Sequence, residues 1–186
     1  MQRNFSLVLA LVATAFLASP ALADVTQSTF NTTTSIPLSG LGQSFTADPS
    51  VAALLQVMFV QTNNDPGMSV TAQLYGGAGY GGPLLDSYVL SLPNVLPTNS
   101  PLFFDFTGNS LTSGNVYTVR LLPTAALTVQ AANTDPYAGG AQLDGSGLAI
   151  VGMDFRFNIH GEAVPEPACL ILLGTAAAML YGRRRR

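Results

Sequence analysis

MDFRFNIH, residues 153–160, decides the fold. Met153, Phe155, Phe157 and Ile159 fall on one side of an extended chain, and Asp154, Arg156, Asn158 and His160 on the other. Strict alternation over eight residues is the period of a half-buried strand, not of a helix. It predicts one strand with an apolar face in a core and a polar face in water. The same period recurs upstream. Residues 69–75 turn Val70, Ala72 and Leu74 inward, and residues 115–122 put Tyr117, Val119 and Leu121 on one side. Apolar runs at 54–60, 84–90, 102–106 and 127–131, with a short first strand near 44–47, bring the number of strands to eight.

Glycine, proline, asparagine and aspartate punctuate these runs at short intervals, and no stretch of the body carries a 3.6-residue period. Asn63-Asn64-Asp65-Pro66-Gly67 and Asn133-Thr134-Asp135-Pro136 are turn chemistry. Regular short strands separated by turns predict an all-β domain, a two-sheet jelly-roll-like sandwich. Gly77-Ala78-Gly79-Tyr80-Gly81-Gly82 satisfies the GxGxxG pattern, but a phosphate site needs a helix to follow. Residues 83–88 read as strand, so the glycine run is a hairpin connection. Residues 26–35 are rich in threonine and serine and read as a lead-in.

The two ends of the 186-residue chain read as addressing. Arg3 precedes an apolar run over residues 6–18, and Ala21-Leu22-Ala23 supplies the small-x-small pattern of a secretory cleavage site. The expectation is an N-terminal signal helix cut after Ala23. At the other end, residues 168–182 carry no charge and Arg183, Arg184, Arg185 and Arg186 close the chain. As a helix, fifteen residues span about 22 Å at about 1.5 Å per residue, against a hydrocarbon core of about 30 Å. Such a segment inserts only with local thinning of the bilayer, and the arginines stay on the cytoplasmic side. The predicted organisation is a signal peptide (1–23), lead-in (24–40), β-sandwich (41–161), linker (162–167), single apolar helix (168–182) and cytoplasmic arginine cluster (183–186).

Pro165-Glu166-Pro167, followed at once by the apolar segment and the arginine cluster, resembles the PEP-CTERM sorting signal. The order of the three parts carries the match, which covers about 23 residues and agrees with the signal peptide. The resemblance implies handling by an exosortase, a transpeptidase-like membrane enzyme, in a bacterium that makes exopolysaccharide and biofilm. It implies a transient inner-membrane anchor cut near the PEP motif, and a body released or attached at the cell surface. Two prolines suit that role, because proline lacks an amide donor and pushes its predecessor away from helix. The body resembles secreted bacterial β-sandwich modules through Gln43-Ser44-Phe45, Leu74-Tyr75-Gly76-Gly77 with Gly79, and Tyr137-Ala138-Gly139-Gly140 followed by Asp154-Phe155-Arg156-Phe157.

Charge excludes some functions. Residues 24–163 hold nine acids against two arginines, Arg120 and Arg156, so the body is near −7; there is no lysine. Nucleic acid is therefore not a partner. The one cysteine, Cys169, lies in the tail, so the body has neither a disulfide nor a cysteine metal centre. No catalytic residue is assigned. His160 is the only histidine, and Asp154, six residues away, is about 20 Å distant along a strand. A carboxylate pair such as Asp105 and Asp154 has no sequence signal behind it. Ca²⁺ takes oxygen ligands of the kind Asn63, Asp65, Asn133, Asp135 and Asp144 offer from loops, but turn geometry alone accounts for those residues and is the preferred reading. No cofactor is expected. Sugar contact would use aromatic platforms, here Tyr75, Tyr80, Tyr88 and Tyr137; tryptophan, the flattest platform, is absent. The sequence thus points to a non-catalytic structural or adhesive protein of the envelope or extracellular matrix, with a carbohydrate-binding module that retains exopolysaccharide as the alternative and a small secreted hydrolase as the third reading.

Overall fold

Fourteen consecutive residues, Val51–Asn64, form the longest strand, β4, on which one sheet is assembled. The computed structural model describes residues 22–27, 34–37, 39–132 and 137–163; the signal-peptide, PEP, apolar-tail and arginine-cluster readings lie outside these residues, apart from Leu22 and Ala23. Twelve strands are described: β1 (Leu22–Gln27), β2 (Thr34–Pro37), β3 (Gly42–Thr46), β4, β5 (Met68–Gly76), β6 (Leu84–Leu92), β7 (Pro101–Ser110), β8 (Val116–Pro123), β9 (Leu127–Ala132), β10 (Gln142–Leu143), β11 (Asp154–Phe155) and β12 (Phe157–Ala163). There is no helix among the described residues.

The strands make two antiparallel sheets. The seven-stranded sheet runs β1-β12-β4-β9-β11, with β7 also on β4 and β2 also on β9; the five-stranded sheet runs β10-β3-β8-β5-β6. β4 is long enough to serve several partners. Its residues Ala53–Val60 face β7, and Val51–Phe59 face β12. Beyond Gln61 its ladder continues with β9, through Thr128 and Leu127.

The inner faces follow the alternation. Val70, Ala72 and Leu74 are buried on β5, Val119 and Leu121 on β8, and Leu102, Phe104 and Phe106 on β7. Phe59 sits among three rings, with centroids 6.2 Å from Phe104, 6.0 Å from Phe155 and 6.3 Å from Phe157. Edge-to-face and offset pairs of this kind add to simple area burial.

The polar side of residues 153–160 differs from its prediction. The run is not one strand: β11 pairs with β9 and β12 with β4, with Arg156 between them. Phe155, Phe157 and Ile159 are in the core as expected, but Met153 is only half-buried, and Asn158 and Asp154, expected on the wet face, are both buried, Asp154 at 0% exposure. A clamp between the sheets holds Asp154. Gln43 on β3 donates from Nε2 to Asp154 Oδ1 at 2.7 Å and accepts the Phe155 amide on Oε1 at 2.8 Å. The Tyr137 amide donates to Asp154 Oδ2 at 3.1 Å. A carboxylate can leave water when its lone pairs find donors, as these do. His160 is partly exposed, opposite Asp24 on β1 and Gln56 on β4.

The lead-in is also strand. β1 pairs along β12, and β2 along β9. At the far end β12 continues through Glu162 and Ala163, which the sequence assigned to the linker.

Candidate functional site

β5 turns Ser69, Thr71, Gln73 and Tyr75 away from the core. Its neighbours extend this outer face: Gln73 stands between Arg120 and Ser87, Thr71 between Leu122 and Val89, and Tyr75 between Thr118 and Leu84. The glycine run leaves β5 and folds back onto this surface. Thr118 Oγ1 donates to the Gly77 carbonyl at 2.8 Å and accepts the Gly79 amide at 3.0 Å, which fixes the turn.

Tyr80 is thereby laid on the sheet. Its ring centroid is 5.9 Å from that of Tyr75, and the Arg120 guanidinium carbon is 4.4 Å from its centre. Its hydroxyl donates to the Gly40 carbonyl at 3.2 Å. The seat requires glycine at Gly42, where a Cβ would stand 2.6 Å from the Val119 carbonyl oxygen and 2.7 Å from the Tyr80 hydroxyl. Arg120 fastens the same cluster, donating from Nε to Gly40 O at 3.3 Å and from Nη2 to Gly145 O at 3.2 Å. One cation thus ties three loops together, stacked on an aromatic face.

Burial pushes the Tyr80 phenol up to about 12; the Arg120 charge works against that rise, and Asp144 and Tyr75 add to it. A raised phenol pKa means the folded state holds its proton more tightly. That contribution is complete below pH 10 and is lost as pH climbs from about 10 towards about 12. Chemical unfolding at pH 9 and pH 11.5 should therefore show a smaller alkaline loss of stability in Tyr80→Phe than in the parent. An equal loss would mean that Tyr80 is not the residue responsible.

The structure separates the four tyrosines. Tyr75 and Tyr80 form the half-exposed pair just described. Tyr88 is packed edge-on against Phe104 at 6.5 Å. Tyr137 is a structural pin: its hydroxyl accepts the Thr46 amide at 3.1 Å, and its ring meets Phe157 at 5.4 Å.

The loop acids are engaged locally. Asp144 Oδ1 accepts from the Ser146 amide at 2.8 Å, the Ser146 hydroxyl at 2.6 Å and the Leu148 amide at 3.0 Å. These bonds hold its carboxyl below the usual range, the Ser146 hydroxyl first. Asp65 accepts the Ala126 amide at 3.1 Å in a different loop. Asn63 is exposed at the end of β4 opposite Thr128, and Asn133 and Asp135 lie outside the described residues. Among the described residues no three His, Cys, Asp or Glu side chains converge as a metal centre. Asp105, exposed on β7, accepts from the Thr107 amide and hydroxyl, whereas Asp154 is buried in the clamp.

Sequence reasoning passed over Arg120 and Gln43. Arg120 stood out only as one of two arginines in the body. Gln43 figured only in the Gln43-Ser44-Phe45 triplet, and its polar neighbours Ser44 and Thr46 give no signal that it is buried against a partner.

No family model and no curated protein matches the chain. Solved structures do, at low identity. The VP2 subviral particle of infectious bursal disease virus is 14% identical over 90% of this chain and 50% of its own, with a TM-score of 0.33. The Gx strain of the same virus gives 12%, 90%, 49% and 0.30. The Yersinia pseudotuberculosis-derived mitogen gives 12%, 66%, 95% and 0.27. The chain spans about half the length of the two viral chains it matches.

Proposed function

We propose that this chain is an exported, exosortase-sorted protein of the bacterial envelope or extracellular matrix, with a jelly-roll-like sandwich that acts through surface contact and not through catalysis. The observation that carries the non-catalytic reading is how the described acids are used. Asp48, Asp105 and Asp144 each accept hydrogen bonds from a serine or threonine two residues on, and Asp154 clamps the sheets. These carboxylates serve the fold.

The sorting reading rests on the sequence of the tail and suits the position of β12. That strand ends at Ala163, and the four residues 164–167 reach at most about 14 Å when extended. The sandwich would be held close to the bilayer until the PEP segment is cut, and the cut would leave β12 intact. Intact-mass measurement of the exported protein should show loss of residues 1–23 and of everything after the Pro165-Glu166-Pro167 region. A surface species that still carries Arg186 would refute transient anchoring.

A second reading, carbohydrate binding, draws on one observation. Tyr75 and Tyr80 lie side by side on a face of serine, threonine and glutamine, which combines an aromatic platform with hydrogen-bonding groups.

A further inference from the structure

A groove opens where β7 gives way to β8. A bulge borders it. Leu74 pairs with Asp86 but Tyr75 pairs with Leu84, so Leu85 is an extra residue in β6 that bulges from the ladder. Two glycines follow on β5 and its turn. The groove is open, has a volume of about 390 Å³ and is lined by these two glycines with Leu85, Ser110, Asn115, Val116 and Tyr117.

The lining has a definite chemistry. Leu85 and Val116 are apolar, Ser110 supplies a hydroxyl, and Asn115 supplies an exposed carboxamide that can donate and accept. The Tyr117 hydroxyl is already committed, accepting the Thr112 amide at 2.8 Å. Gly77 has a φ of +104°, and a Cβ there would meet no described atom within 4 Å, so there is space over the rim at this residue, although its amide and carbonyl are bonded to Val116 and Thr118. Among the described residues no arginine, histidine or carboxylate lines the groove. An ion entering it would shed water and gain no counter-charge. The acid beside it, Asp86, accepts from Asn109 at 2.6 Å and has the sign that repels an anionic sugar.

We propose that this groove is a binding subsite for one neutral pyranose unit of a polysaccharide. The apolar face of the ring lies on Leu85 and Val116, and ring hydroxyls bond to Ser110 and Asn115. A pyranose presents this combination of apolar C–H faces and an equatorial hydroxyl rim. The volume lies near the small end of the range for ligand pockets, about 300–1,000 Å³, and the open side lets a chain continue in both directions. The proposal rests on the carbohydrate reading above and moves its centre from the Tyr75–Tyr80 face to the groove.

The test is calorimetric titration of the purified full chain with cellotriose, maltotriose, mannotriose and trigalacturonate. Asn115→Ala removes the amide and Ser110→Trp fills the groove; both positions border a turn, and thermal unfolding checks that each variant folds. At least one neutral trisaccharide should bind, at least tenfold more weakly to either groove variant and unchanged to Tyr75→Ala. Binding that survives both groove variants and disappears in Tyr75→Ala overturns the subsite and keeps the carbohydrate reading. Preference for trigalacturonate overturns the neutral class. No binding by any of the four overturns both the subsite and the reading on which it rests.

Discussion

Asp154→Ala is expected to destabilise the sandwich by about 3 kcal/mol. The substitution removes the acceptor of Gln43 Nε2 and of the Tyr137 amide, and each buried donor left without its partner costs about 1–3 kcal/mol. Gln43 Nε2 keeps a second bond to the Ser44 carbonyl at 3.1 Å, which moderates its share. Against a total stability of about 5–15 kcal/mol the loss is large. It should appear as a lower urea midpoint with an unchanged slope. Gln43→Glu makes the same clamp depend on pH. It sets a carboxylate where the amide stood, 2.7 Å from Asp154 Oδ1, and two carboxylates that close cannot both ionise cheaply. One of the pair then has a raised pKa in the folded state. Its stabilising contribution is present in acid and is lost as pH rises through that value. The variant should be much weaker than the parent at pH 7 and recover part of the difference at pH 4.5. Equal deficits at both pH values would show that the two side chains do not share a buried site.

The inner faces were legible because alternation reports burial directly wherever a strand is unbroken. Val70, Ala72 and Leu74, and Tyr117, Val119 and Leu121, are buried as their spacing requires. Alternation failed at Asp154 because faces are defined only within one strand, and at Arg156 the chain passes from β11, paired with β9, to β12, paired with β4. A residue beside such a crossing can point between the sheets. β1 and β2 were missed for another reason. The segment around them is short, polar and rich in threonine and serine, and both strands are held by backbone pairing at sheet edges, which leaves little trace in side-chain type. The candidate surfaces were half legible. The glycine run could be read as a hairpin connection, but not that it folds back and lays Tyr80 on Arg120. That depends on Thr118, 38 residues after Tyr80 and far from it in the sequence. The groove was invisible, because it is lined by residues from separate segments and the register shift at Leu85 that borders it leaves no mark in the sequence pattern.

Phe59→Ala is the other substitution expected to act strongly, at about 3–5 kcal/mol, the usual cost of emptying a buried phenylalanine site. Phe59 is fully buried on the central strand β4, opposite Leu102 on β7 and Phe157 on β12. Truncation removes three ring contacts and leaves a void that antiparallel neighbours on both sides hold open, so collapse can recover little. Phe103→Ala is the informative comparison. Phe103 also belongs to this sheet, one residue from the core ring of Phe104, but it faces outward and is 42% exposed. Its loss should change stability by no more than about 0.5 kcal/mol. The two variants remove the same atoms from neighbouring strands and differ only in the face they occupy. If urea unfolding gave them similar midpoints, the assignment of inner and outer faces on β4 and β7 would be wrong. The packing of the seven-stranded sheet over the five-stranded one would then need a different register.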